Sequence, residues 1–230
     1  MQLKAENVLV AGVDDAGRGP VIGPLVIAGV LMHEKDLPKL KELGVKDSKM
    51  LSPHRREELA IEIRTCALKY HAVSLSPAEI DNVVETGRKL HRLNRLEAHT
   101  MAKVIAELRP EVAFVDASDV NPDRFREHIE EKLDFKVRIV SEHKADIKYP
   151  IVSAASIIAK VERDLAIQKL KEKYAKVGDL GSGYASDPTT IEFLEKWVAR
   201  YGDYPEFVRK SWKPAKEIKN KTDATQTKLR

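Results

Sequence analysis

Val8-Leu9-Val10-Ala11-Gly12-Val13-Asp14-Asp15-Ala16-Gly17-Arg18-Gly19-Pro20-Val21-Ile22-Gly23-Pro24-Leu25-Val26-Ile27-Ala28-Gly29-Val30 is the stretch that decides the fold. Two apolar runs of β character flank a pair of adjacent carboxylates and a glycine-rich turn carrying one arginine. Packing gives no reason for two aspartates at the end of a buried strand, because charge placed there is costly unless cations or hydrogen bonds compensate it. A divalent metal serving phosphate chemistry would account for the pair. A β-hairpin whose Asp and Gly residues only make the turn would account for it equally well. The decision therefore falls to the other carboxylates.

Glu111 to Asp116 is a short apolar run of strand length that ends on an aspartate. Phe135 to Val140 alternates apolar and polar residues as a half-buried strand does. It leads into Ser141-Glu142-His143-Lys144-Ala145-Asp146, and a long helical stretch starts near Pro150. Acidic residues at or just past several strand ends are how an open α/β sheet builds a site, since ligands bind outside the carboxyl edge. Oxygen ligands of this kind suit Mg²⁺ or Mn²⁺, and no Cys/His cluster points to zinc.

Several motifs, in order, carry a family resemblance. They are Asp14-Asp15-Ala16-Gly17-Arg18-Gly19-Pro20, Asp47-Ser48-Lys49, Asp116, His143-Lys144-Ala145-Asp146, Ser153 to Lys160, and Gly181-Ser182-Gly183-Tyr184. From about residue 8 to about residue 215 the chain resembles type 2 ribonuclease H, in the archaeal single-chain form called ribonuclease HII. The resemblance implies an α/β, ribonuclease H-like fold, a mixed five-stranded sheet flanked by helices with a C-terminal helical subdomain. It implies a catalytic domain over residues 1–177 and a helical extension with a basic tail over 178–230. It also implies a metal-dependent endoribonuclease acting on RNA/DNA hybrids and 5′ of ribonucleotides embedded in DNA duplexes, leaving 3′-hydroxyl and 5′-phosphate ends. Asp14, Asp15, Asp116 and Asp146 are then the carboxylates holding two Mg²⁺ or Mn²⁺ ions. Gly17, Arg18 and Gly19 contact the ribonucleotide, and Tyr184 contacts its 2′-hydroxyl and the next sugar. Ser48, Lys49 and Lys160 are expected phosphate contacts. One departure stands out: the family usually has Asp-Glu where this chain has Asp14-Asp15, one methylene shorter.

The chemistry agrees with those residue types. Two metals about 3.5–4 Å apart supply an activated water, a stabilised leaving oxygen and charge neutralisation in one clamp. Neighbours on a regular strand point to opposite faces, so if Asp14 and Asp15 both reach the metals, the strand must end or kink there. Glycines let backbone groups approach a sugar, and the 2′-hydroxyl is what separates RNA from DNA. Asp119 reads as a turn or capping residue outside the site, and His143 beside Glu142 and Lys144 as a solvated side chain.

The 230 residues, 43% of them hydrophobic, can bury one sizeable core. The absence of an 18-residue apolar run or a signal-peptide pattern predicts a soluble cytoplasmic protein without a membrane segment, taken as a monomer. The single cysteine, Cys66, lies in a helical pattern and reads as packing. The net charge is +4, but residues 209–230 carry eight basic and two acidic side chains, net +6, which leaves the rest at −2. Such a basic tail offers sequence-independent attraction to phosphates. Within it, Gln226-Thr227-Lys228-Leu229 has the Gln-x-x-aliphatic opening of the motif that family members dock on the sliding clamp, without the aromatic pair that normally follows.

Other functions fit less well. The glycines at 17, 19 and 23 match neither G-x-G-x-x-G nor a P-loop, and an aspartyl-phosphate phosphatase would place its second acid where Ala16 stands. A non-catalytic nucleic-acid-binding module would explain the tail but not four acids at strand ends.

The pattern further predicts a short helix over 37–43, a helix N-capped by Ser52 with Pro53 in its first turn, a strand over 71–75 and a helix over 93–108. It continues with helices from Pro122 to Leu133, Pro150 to Tyr174 and Pro188 to about Gly202.

Overall fold

In the computed structural model, which describes residues 7–45, 51–86 and 92–228, the opening stretch forms an antiparallel pair. Leu9–Ala16 (β1) runs against Leu25–His33 (β2), in register from Leu9–His33 to Ala16–Val26. Lys69–Leu75 (β3), Val112–Asp116 (β4) and Arg138–Glu142 (β5) complete a five-stranded sheet of order β3-β2-β1-β4-β5. β4 lies parallel to both β1 and β5, so the sheet is mixed.

The helices described are Leu37–Glu42 (α1), Pro53–Cys66 (α2), Pro77–Thr86 (α3), Arg92–Leu108 (α4), Pro122–Glu130 (α5), Ala145–Lys148 (α6), Pro150–Tyr174 (α7), Pro188–Tyr201 (α8) and Lys213–Lys228 (α9). Their starts follow from local chemistry. Ser52, Asn121 and Asp187 each accept a backbone N–H of the first turn, and proline follows each of them. Parallel strands need a crossover, and α5 supplies it between β4 and β5.

The chain divides into two compact units: Met1–Ala16, Val26–Ser74 and Leu90–Glu162 form the first, and Gly17–Leu25, Leu75–Lys89 and Arg163–Arg230 the second. In the first, alternate β1 residues enter different cores. Val10 and Ala16 pack with α2 and the start of α7, while Ala11 and Val13 pack with α4 and α5. The start of α7 crosses β1 at backbone distance: a Cβ on Gly12 would stand 2.2 Å from the Ile151 carbonyl oxygen. The run Ser153-Ala154-Ala155-Ser156 is buried there, as small side chains permit. The second unit has its own core, in which Ile22, Leu180, Phe193 and Phe207 are buried.

Two expectations need correction. α5 ends at Glu130 rather than Leu133, because Lys132 and Leu133 already bond three residues back in tight turns. β5 starts at Arg138 rather than Phe135, because a parallel strand begins where its partner does, and Val112 pairs with Arg138. Phe135 and Val137 still pack on the core, so the alternation was read correctly without a ladder. The basic segment is partly structural. Arg209 is fully buried, and α9 buries Ala215 and Ile218. Among the described residues, no helix is long and apolar enough to cross a membrane.

Candidate active site

β1, β4 and β5 bring their carboxyl ends together. One residue past the last β1–β4 pair, Val13–Val115, the parallel register sets Asp14 beside Asp116, and Asp116 is paired in turn with Glu142. Asp14 shares the strand face of Val10 and Gly12, and Asp116 that of Val112 and Phe114, so both carboxylates lie on the side covered by α7. β1 continues in register to Ala16. Asp15 therefore belongs to the opposite face, where it accepts the Ser118 hydroxyl at 3.2 Å.

Asp14 is only 5% exposed. Burial, the Asp15 charge and the Asp116 charge, in that order, push its carboxyl well above the ordinary carboxylate range. Ser156 and the Asp15 N–H, the latter at 2.7 Å, hydrogen-bond it and pull the other way. Lys160 donates to the Ser156 hydroxyl at 2.9 Å, so α7 supports Asp14 through a two-residue polar chain. Asp116 accepts the Ala145 N–H at 2.8 Å. That bond ties the strand end to the first turn of α6, where the buried Asp146 is the next residue.

Three acidic groups thus feel one another at a sheet edge, and a fourth is one residue from a direct contact. Among the described residues, no three His, Cys, Asp or Glu side chains are already arranged to hold a metal ion. The donor set is all oxygen, and Asp14 is both buried and set near the Asp15 and Asp116 charges, so these residues fit a hard divalent cation.

The candidate ribose-contacting residues lie together in the second unit. Gly17 has φ +88°, and a Cβ there would meet the Arg163 side chain at 2.6 Å and the Pro24 oxygen at 2.7 Å. The fold itself thus demands glycine at 17. Gly19 is different: a methyl group would meet only the Tyr184 ring, at 3.9 Å. Among the described residues nothing excludes a side chain there. Tyr184, 41% exposed, has its ring 5.3 Å from the guanidinium carbon of the buried Arg163. Its loop is fixed to the glycine turn, since the Gly183 oxygen accepts the N–H groups of both Val21 and Ile22 at 2.9 and 3.1 Å. Asp187 and Thr190 hold the loop from α8 by accepting the N–H groups of Ser182 and Gly183.

Other predicted residues fall as follows. Ser48 and Lys49 lie outside the described residues. Lys160 is engaged with Ser156. His143 has its ring nitrogens 3.2 and 3.4 Å from the carbonyl oxygens of Ala117 and Val120. Asp119 is a turn and capping residue, accepting from Asn94, Asn121 and Arg124. Cys66 packs on the core, and burial pushes its thiol up. Ser156 and Arg209 belong to the site's support and were not singled out from sequence. Ser156 sits inside a recognised motif, whereas Arg209 was counted among the tail charges.

Known proteins of similar sequence and fold point to one family. Residues 11–215 match the family model described as Ribonuclease HII. A ribonuclease HII of Thermococcus onnurineus is 49% identical over 222 residues, covering 96% of this chain and 94% of that protein. The crystal structure of the ribonuclease H2 from Pyrococcus horikoshii superposes with a TM-score of 0.85 at 45% identity, covering 94% of this chain and 99% of that one. A PCNA:RNase HII complex from Archaeoglobus fulgidus gives a TM-score of 0.79 at 48% identity, covering 90% of this chain and 96% of that one.

Proposed function

The chain belongs to the ribonuclease HII family of endoribonucleases, and from that premise we propose that it is a metal-dependent enzyme acting both on RNA/DNA hybrids and at single ribonucleotides in duplex DNA. It cleaves 5′ of the ribonucleotide and leaves 3′-hydroxyl and 5′-phosphate ends, the chemistry that primer removal and ribonucleotide excision in the cytoplasm require. The observation carrying this reading is the convergence of Asp14 and Asp116 at adjacent strand ends, with Asp15 close enough to raise the Asp14 carboxyl.

Asp14, Asp116 and Asp146 are the groups whose side chains would hold Mg²⁺ or Mn²⁺, with Asp15 joining them only if the strand end turns it back from the opposite face, and the bound ions would supply an activated water and neutralise charge on the scissile phosphate. Ser156, backed by Lys160, keeps the Asp14 carboxylate oriented. The backbone of Gly17, Arg18 and Gly19 meets the ribose, Tyr184 packs on the following sugar, and Ser48, Lys49 and Lys160 serve the phosphates. An all-DNA strand leaves the polar groups of such a turn unpaired, and unpaired buried polar groups are the strong form of rejection.

Asp14→Asn, Asp116→Asn and Asp146→Asn test the assignment. Each is expected to reduce cleavage by orders of magnitude with the fold retained by circular dichroism, and near-normal turnover of any one would remove it from the ligand set.

The A. fulgidus relative was solved with PCNA, which supports a sliding-clamp partner here through residues 226–229. Residues 226–228 end α9, and Leu229 lies outside the described residues. Deleting residues 223–230 is expected to weaken clamp binding in a pull-down or by surface plasmon resonance. Equal binding by the full-length and shortened chains would assign the contact elsewhere.

A further inference from the structure

The glycine turn is gripped from behind by one short stretch of the chain. Arg209, with no exposed surface, donates to the carbonyl oxygens of Gly17 at 2.6 Å, Arg18 at 2.8 Å and Gly23 at 3.1 Å. The Arg209 N–H donates to the Val21 oxygen at 2.9 Å. Three residues on, the Trp212 indole N–H donates to the Gly19 oxygen at 3.2 Å, and the Arg209 guanidinium lies 5.0 Å from the Trp212 ring centre. This stretch is anchored in turn, because Asp81 of α3 accepts the N–H groups of Lys210 and Ser211 at 2.8 and 3.1 Å.

Burying a guanidinium is costly, and three of its N–H groups are spent on backbone carbonyls of this one turn. What the arrangement achieves is orientation. The described chain contains no cis peptide, and in a trans peptide the carbonyl of one residue opposes the N–H of the next. Holding the Gly17 and Arg18 oxygens inward makes the N–H groups of Arg18 and Gly19 point away from Arg209. The third peptide has no N–H to aim, because Pro20 follows, and there Trp212 alone sets the carbonyl.

We propose that Arg209 and Trp212 are positioning residues for ribose recognition, Arg209 turning the N–H groups of Arg18 and Gly19 toward the 2′-oxygen of the bound ribonucleotide and Trp212 fixing the Gly19 carbonyl that closes the turn. This rests on the reading that the turn contacts the ribose, and it adds the residues that make the turn selective.

The test is equilibrium binding, by fluorescence anisotropy with Ca²⁺ as the divalent ion, of two duplexes identical but for one ribonucleotide. The quantity read is the ratio of their Kd values, with melting temperature alongside. Trp212→Phe removes one hydrogen bond and keeps the ring. It should reduce the ribonucleotide preference about fivefold, as the loss of one hydrogen bond implies, with the all-DNA affinity and melting temperature nearly unchanged. Arg209→Lys keeps the charge but cannot reach three carbonyls, and should reduce the preference further. Gly19→Ala, which the fold accommodates, tests the turn itself. A preference retained in both Trp212→Phe and Arg209→Lys but lost in Gly19→Ala would overturn the positioning role while sparing the turn. A preference retained in Gly19→Ala as well would overturn the reading of the turn and this inference with it. Equal loss of affinity for both duplexes in Trp212→Phe, together with a fall in melting temperature, would reduce Arg209 and Trp212 to structural supports.

Discussion

Asp14 concentrates the tension between stability and chemistry. Its carboxyl is buried beside two other carboxylates, so ionising it at neutral pH costs the native state free energy. A group whose folded pKa is raised binds protons more readily folded than unfolded. Metal-free protein should therefore gain stability as pH falls from neutral through that raised pKa towards the unfolded value near ~3.9. Asp14→Asn, expected to abolish cleavage, should raise the melting temperature of metal-free protein at pH 7 and flatten its rise on acidification. For a chain of this size each kcal/mol gained is worth about 2–4 °C. A lower melting temperature than wild type at pH 7 would show that the carboxylate stabilises the fold and is not held there against a cost. Much at this scale was legible beforehand. Aspartates at strand ends announce themselves because nothing else in a sheet calls for them. The Ser156 support and the Arg209 grip were not legible, because a serine in a helix and an arginine near a terminus look alike whether buried or solvated.

At the scale of elements, sequence reading succeeded where a local signal sets the boundary. Asn121-Pro122 and Asp187-Pro188 opened helices as expected, since cap and proline act within a few residues. It failed where a partner sets the boundary, as at β5, whose start is dictated by β4. α3 went unremarked although Ser76 and Glu79 form a reciprocal cap, with the Ser76 N–H donating to Glu79 at 2.8 Å and the Glu79 N–H to the Ser76 hydroxyl at 3.3 Å. The turn between β4 and α5 depends on Asp119. Burial opposes its charge, but Arg124, the Asn121 N–H and Asn94 outweigh this and hold its carboxyl below the ordinary range. A depressed pKa stabilises the fold above the unfolded value, and that contribution is lost as pH falls through the carboxylate range. Asp119→Ala should therefore cost about 1.5–3 kcal/mol at pH 7 in urea unfolding, the range for hydrogen bonds to a charged group. The difference from wild type should shrink below pH 4. A deficit independent of pH would point to lost packing instead.

At the scale of the whole molecule, chemistry is divided along the chain with unusual economy. Asp15 and Gly17 are separated by one residue, yet the first belongs to the carboxylate edge of the sheet and the second opens the unit that carries the glycine turn and Tyr184. The charge count of +4 concealed this, because it placed Arg209 among the tail charges although it is fully buried. The central claim is that the carboxylate edge performs metal-dependent hydrolysis at a position chosen by a ribose. One product-mapping assay tests it directly, using a duplex with a single ribonucleotide, its all-DNA counterpart and a continuous RNA/DNA hybrid, each with Mg²⁺, Mn²⁺ or a chelator. The expected result is cleavage on the 5′ side of the lone ribonucleotide, with 3′-hydroxyl and 5′-phosphate ends, and cleavage within the RNA strand of the hybrid. The all-DNA duplex should stay intact, and the chelator should abolish all cutting. Cleavage that persists in the chelator, or that cuts the all-DNA duplex equally, would contradict the account.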